Sequence, residues 1–221
     1  MMPGLFITAT DTGAGKTFVA TRLAEALVAA GCKVAVRKPA ESGCPEVDGR
    51  LVPQDAEALR RAAGGREPLE TVCPRPLREP LSPPRAARRM KQKLFLDELV
   101  AACAMPADAD LMLVEGAGGL FAPLAEDALN ADLAAALHLP VLLVVPDRLG
   151  AINQALLGIH AVTHRGLRLA GVVLNQVHPE RPRGMDNLAD LRLWTGAPLL
   201  TLPHGAGAEA LQPLLPRLMR P

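Results

Sequence analysis

The chain has 221 residues, the length of one α/β domain or one domain with elaborations. Its 24 Lys plus Arg against 23 Asp plus Glu leave a formal net charge of +1, which excludes recruitment of nucleic acid or an anionic membrane by bulk charge. Four Phe, one Trp and no Tyr remove the stacking platforms that single-stranded nucleic acid needs and leave an aliphatic core.

In chain order, residues 5–8 form the first β-rich run and lead into A-T-D-T-G-A-G-K-T at 9–17. Residues 16–30 have helical period, with Val19, Leu23 and Leu27 at four-residue spacing and Gly31 where a C-terminal cap belongs. Further β-rich runs follow at 33–36, 111–114, 141–145, 169–174 and 199–202. Several are apolar on consecutive residues, as strands covered on both faces are. The alternation predicts an α/β fold with a single doubly wound, mainly parallel sheet and helices on both faces, residues 1–221 forming one domain. Residues 74–84 hold five prolines and are expected to cross the surface as a loop that overhangs a site. The basic stretch Arg85, Arg88, Arg89, Lys91 and Lys93 reads as a solvated helix face. Cys32, Cys44, Cys73 and Cys103 show no C-x-x-C spacing and read as reduced thiols. The apolar runs are far below the ~18 residues of a membrane span. With no basic leader ahead of Leu5, the expected location is the cytoplasm.

Chemistry concentrates at the ends of the strands. Gly13, Ala14 and Gly15, between a strand and a helix, let backbone N–H groups turn toward phosphate oxygens, and the helix N-terminus adds partial positive charge. Lys16 would neutralise β- and γ-phosphates and the Thr17 hydroxyl would ligate Mg²⁺, which is the arrangement of the P-loop NTPases. Thr10 stands where the common pattern G-x-x-x-x-G-K-S/T has glycine. The run 111–114 delivers Glu115 at a carboxyl edge, where an acid can reach the same Mg²⁺, and Gly116, Ala117 and Gly118 allow close backbone approach to phosphate or substrate. Locally, Asp55 is a candidate metal ligand but reads better as a helix N-cap, and Lys38 is a candidate site residue but reads better as a surface lysine beside a turn. Asn175 either reads a nucleobase edge or begins a turn.

Taken together, T-A-T-D-T-G-A-G-K-T at 8–17, K-P-A-E-S-G at 38–43, Asp55, E-P-L-S-P at 79–83 and V-E-G-A-G-G at 114–119 resemble the dethiobiotin synthetases. L-G-A-I-N at 149–153, L-A-G-V-V-L-N at 169–175 and P-L-L-T-L-P at 198–203 extend the resemblance over most of the chain. It implies ATP-dependent closure of a ureido ring on diaminopelargonic acid with CO₂ or bicarbonate, through a carbamate that attacks the γ-phosphate. It further implies Lys16 and Lys38 as catalytic cations, Thr17, Asp55 and Glu115 around Mg²⁺, and Thr12, Lys38, Ser42 and Asn153 facing the substrate. Asn175, Gln176, Leu202, Pro203 and His204 would contact adenine, with Phe18 beside the loop. A homodimer is implied, whose substrate site borders the partner subunit. The family commonly has Gly where Ala9 stands and an acid where Gly13 stands, so the choice of nucleotide is open here.

Two other readings compete. A partitioning-type ATPase switch carries a signature lysine five residues before the loop lysine; here that position is Asp11. No amphipathic membrane tail is visible in residues 211–221 either, which contain three prolines. Another ATP-dependent carboxylate or carbamate ligase of the superfamily is the nearer rival, and no Cys and His motif for generating ammonia is visible.

Overall fold

A computed structural model of the chain describes residues 3–218, so the last three residues of the proline-containing tail lie outside the described residues. Its centre is a six-stranded sheet in the order β10-β9-β8-β1-β7-β2. The strands are β1 (Gly4–Ala9), β2 (Val34–Arg37), β7 (Leu111–Gly119), β8 (Val141–Pro146), β9 (Leu169–Asn175) and β10 (Leu199–Leu202). Every neighbouring pair runs parallel. Two small sheets, β3 (Ala40–Ser42) with β6 (Arg75–Leu77) and β4 (Glu46–Val47) with β5 (Arg50–Leu51), elaborate the connection from β2 to β7.

The sheet is parallel because its strands are buried on both faces. Leu5, Ile7 and Ala9 of β1 face one apolar cluster with α1 (Lys16–Ala29) and α2 (Gln54–Ala62), while Phe6 faces a second. That second cluster holds Met112 and Val114 of β7, Leu99 of α5 (Leu96–Ala102) and Leu133 of α6 (Asn130–Ala136). A third joins β8 and β9 to α7 (Ala151–His164) and to Leu191 of α8 (Asn187–Arg192). Each fully buried Leu, Ile or Phe contributes about 1.5–3 kcal/mol, so runs of consecutive apolar residues are what a doubly covered strand requires. α3 (Leu69–Val72), α4 (Pro83–Arg89), a 3₁₀ turn at Ala208–Leu214 and α9 (Leu215–Leu218) complete the described elements.

From β1 the chain first builds outward to β2 and returns through β7, then crosses to β8, β9 and β10 on the other side. The order of winding therefore reverses at β1, and a crevice opens there at the carboxyl ends of the strands. The predicted doubly wound sheet is what forms.

Three local expectations need correction. β7 does not stop at Val114; it continues through Glu115 to Gly119, with a register irregularity against β1. The proline segment is not loop throughout, since β6 lies within it and Pro83 and Pro84 start α4, where a missing N–H removes only an orphan donor. The basic stretch is helical only as far as Arg89, and Lys91 takes a positive φ. Arg88 and Arg89 are ion-paired with Glu126 and Glu79. Among the described residues no helix is long and apolar enough to cross a membrane.

The cysteines give the fold a direct test. Cys44, Cys73 and Cys103 are buried, and burial pushes the thiols of Cys44 and Cys103 up to about 11 and about 12 and raises Cys73 as well. Cys32 alone is partly exposed. A thiolate-seeking reagent at pH 8 should therefore label Cys32 in the native protein and reach the other three only on denaturation; rapid native labelling of several thiols contradicts this packing.

Candidate functional site

β1 ends at Ala9 and α1 begins at Lys16, so the intervening loop turns at the winding reversal. Gly15 sits there at φ 82°, and a Cβ on it would lie 2.1 Å from the Asn175 amide nitrogen. No other residue type fits. The Asn175 amide nitrogen donates to the Ala14 carbonyl at 2.8 Å, which braces the loop from the end of β9. Its Oδ1 is buried and has no hydrogen-bond partner among the described residues.

Lys38 follows β2 and is 3% exposed, so it is not the surface lysine its local sequence suggests. Its ammonium donates to Glu115 Oε1 and, at 3.1 Å, to Asp55 Oδ2. The Thr17 hydroxyl donates to the same Glu115 oxygen at 2.8 Å. Glu115 is 1% exposed and its Oε2 is a buried acceptor with no partner among the described residues. Thr17, Glu115, Lys38 and Asp55 thus form one chain of contacts fed by α1, β7, the end of β2 and α2.

The two lysines respond oppositely to this crowd. Burial by itself lowers the Lys38 pKa, but Glu115 and Asp55 outweigh it and the net shift is upward. For Lys16, burial and then the nearby Lys38 ammonium lower the pKa. Lys38 is therefore a cation already matched by acids, whereas Lys16 is a cation that an incoming anion would relieve.

Around this chain lies a cavity of about 580 Å³. It brings together Thr12, Gly13, Gly15, Lys16, Thr17, Lys38, Ser42, Asp55, Glu115, Ala117 and Gly118 of the sequence-derived set. Pro80, Leu81, Ser82 and Pro83 of the proline segment line it as well. Ala14 and Phe18 belong to the loop and the first turn of α1. Gln176, Leu202, Pro203 and His204 lie outside the cavity lining, at the ends of β9 and β10, where the Gln176 N–H donates to Leu202 and the His204 ring meets the Val177 carbonyl at 2.9 Å. Asn153 is exposed on the first turn of α7, away from the cavity.

Sequence reasoning missed two residues. Asn130, 0% exposed, bonds the backbone of Ala117, Gly119 and Ala122, and a Cβ on Gly116 would strike its Oδ1 at 2.4 Å. Glu41 accepts from the backbone N–H groups of Asp55 and Ala56 at 3.0 and 2.9 Å. Asp55 accordingly is not the N-cap of α2, whose capping position is Pro53. No local motif marks Asn130; Glu41 stands inside K-P-A-E-S-G, a pattern that singles out Lys38 and Ser42.

Among the described residues no three His, Cys, Asp or Glu side chains converge as a metal-binding group. Any cation seated here would combine one or two carboxylates with a hydroxyl and phosphate oxygens, which is how Mg²⁺ is commonly held.

The loop geometry predicts that Gly15→Ala destabilises the protein by about 1–3 kcal/mol and weakens nucleotide binding at least about tenfold. Thermal melting and nucleotide titration measure both. Wild-type affinity in this variant contradicts the brace between Asn175 and the loop.

The family described as an AAA domain matches residues 3–204. An ATP-dependent dethiobiotin synthetase of Anaeromyxobacter dehalogenans (strain 2CP-C) is 47% identical over 205 residues, 91% of this chain and 90% of that protein. The protein of the same name from Ruthia magnifica subsp. Calyptogena magnifica is 46% identical over 178 residues, covering 80% and 82%. Among solved structures, the septum site-determining protein MinD of Pyrococcus horikoshii OT3, complexed with Mg-ADP, matches with TM-score 0.58 at 16% identity over 99% of this chain and 94% of that one. That likeness is one of fold alone. Asp11, at the position of the partitioning ATPases' signature lysine, lies 3.9 Å from Arg148 and carries the opposite charge.

Proposed function

The chain belongs to the family of ATP-dependent dethiobiotin synthetases, and on that premise we propose how its residues join CO₂ to diaminopelargonic acid and close the ureido ring. One amine takes up CO₂ as a carbamate and loses a proton. A carbamate oxygen attacks the ATP γ-phosphorus, ADP leaves, and a carbamic-phosphoric anhydride remains. The second amine then attacks the carbonyl carbon, sheds a proton, and phosphate departs with the former carbamate oxygen.

The observation that carries this reading is the chain of contacts Thr17–Glu115–Lys38–Asp55, with Lys38 and Glu115 buried, in the cavity that the phosphate loop also lines. Phosphoryl transfer to a carbamate crowds several anions together, so its main requirement is fixed positive charge. Lys16 would follow the β- and γ-phosphates, guided by N–H groups of the loop. Lys38 is held protonated by its acids, so its role is that of a cation and hydrogen-bond donor toward the carbamate, not of a base. Thr12 and Ser42, which line the same cavity, are the groups to orient the diamine.

Mg²⁺ fits the donor set: the partnerless Oε2 of buried Glu115, with the Thr17 hydroxyl and Asp55 beside it, offers hard oxygens only. When bound, it supplies charge neutralisation on the phosphates. The Oδ1 of Asn175, which has no partner among the described residues, would accept from an exocyclic amine of the base, in company with Gln176 and the segment Leu202, Pro203 and His204. Phe18 would flank the nucleotide, and the backbone of Gly116, Ala117 and Gly118 would approach the phosphates and substrate.

A homodimer is part of the proposal. Leu157 on α7 and Leu149 in the turn ahead of it, exposed at 62% and 72%, are large apolar side chains that a second copy would cover. The N-terminus of that helix would receive the distal carboxylate of a substrate bound to the partner. Residues 1–221 would act as one cytoplasmic domain, with small molecules as its substrates and neither nucleic acid nor membrane as a partner.

The test is to mix the protein with Mg-ATP, bicarbonate and diaminopelargonic acid and measure ADP. Release that depends on the diamine supports the reading, and release indifferent to it overturns it. Lys38→Ala should lower turnover by about 10³-fold while nucleotide still binds; retained turnover removes Lys38 from its role.

A further inference from the structure

Glu41 lines the cavity, is 6% exposed, and belongs to none of the groups assigned so far. We propose that Glu41 is a positioning residue that caps α2 from outside the helix and so fixes Asp55 against Lys38, a role that rests on the assignments of Asp55 and Lys38 made above.

Helix α2 begins at Gln54 behind Pro53, and Pro53 makes no side-chain capping bond. Asp55 and Ala56 are the second and third helical residues, the positions whose N–H groups an N-cap side chain ordinarily satisfies. Both are taken instead by one carboxylate from β3: Oε1 of Glu41 by Asp55 at 3.0 Å, and Oε2 by Ala56 at 2.9 Å. The negative charge of that carboxylate is also the one that a helix N-terminus favours.

The connection is mechanical. Glu41 lies three residues beyond Lys38, on a stretch that β6 holds by parallel pairing, so the segment bearing the cation and the helix bearing the acid are tied at a single point. The body of α2 is anchored separately, through Leu59 at 1% exposure. Only its first turn depends on Glu41. The Asp55 side chain is 46% exposed and touches Lys38 at 3.1 Å, so little else restrains it. Loss of the cap should let this turn fray and Asp55 drift, while the Lys38–Glu115 pair stays. A direct contact between Glu41 and a substrate amine is the contrasting possibility that the test must separate.

The readout is Mn²⁺ affinity, by electron paramagnetic resonance with a non-hydrolysable ATP analogue, alongside kcat and the KM for the diamine. Glu41→Ala should weaken Mn²⁺ binding about tenfold and lower kcat with the diamine KM unchanged. Glu41→Gln, which keeps one acceptor oxygen, should fall between it and wild type. Pro53→Ser in the Glu41→Ala background supplies a hydroxyl at the capping position to the same N–H groups and should restore most of the lost affinity. If Glu41→Ala does not fold, Glu41→Gln with and without Pro53→Ser makes the same comparison. Wild-type Mn²⁺ affinity without Glu41, or a raised diamine KM that Pro53→Ser does not recover, overturns the proposal. Asp55→Asn is the reference: if it leaves Mn²⁺ binding untouched, the metal assignment itself fails, an outcome distinct from failure of Glu41 alone.

Discussion

A lysine ammonium 4% exposed, held between Glu115 and Asp55, is the interaction on which the other features depend. A buried charge is tolerated only when matched, and removing one partner from such a pair costs about 3–5 kcal/mol. Four segments must therefore meet at one point: the end of β2 with Lys38, the middle of β7 with Glu115, the first turn of α1 with Thr17 and the first turn of α2 with Asp55. The parallel sheet makes this possible because β2 and β7 are neighbours and both present their carboxyl ends to the same crevice. Lys16, whose charge burial disfavours, is left as the cation an incoming phosphate would relieve.

Much of the polar material around the crevice supports backbone. Asn175 holds the phosphate loop by the Ala14 carbonyl, Asn130 ties the Ala117 and Gly119 carbonyls at the glycine-rich end of β7 to that of Ala122 beyond it, and Glu41 holds the start of α2. Each is a buried side chain that answers N–H or C=O groups which no regular ladder satisfies. The glycines and these side chains are two halves of one device: Gly15 and Gly116 leave room for the amides of Asn175 and Asn130 that a Cβ would fill. Close packing in this form transmits position, so the geometry of the crevice is set from outside it.

The sheet was legible because its strands are covered on both faces and so read as unbroken apolar runs, and the loop was legible because G-K-T follows such a run. Failures have equally local causes. The apolar run ends at Val114, yet the strand continues through Gly119 because Asn130 and β1 supply partners that sequence spacing does not reveal. Pro83 and Pro84 read as helix breakers, but at the first turn a missing N–H removes nothing. Asp55 read as a cap because its neighbours are helical, while the true cap comes from Glu41 in a different element. Lys38 read as a surface residue because burial of a lysine is decided by partners distant in the chain, here Glu115. Resemblance to a family supplied roles where local chemistry gave only alternatives.

In the proposed reaction, the cations of this crevice assist transfer of the ATP γ-phosphoryl group to a carbamate oxygen. Turnover with ¹⁸O-labelled CO₂, before the label exchanges into water, tests it directly when the inorganic phosphate is analysed by ³¹P NMR or mass spectrometry. Phosphate carrying one ¹⁸O atom per ring closed is the predicted result, since that oxygen leaves the carbamate with the phosphoryl group. Phosphate free of label, formed alongside dethiobiotin, would show that γ-phosphate goes to water and would contradict the account.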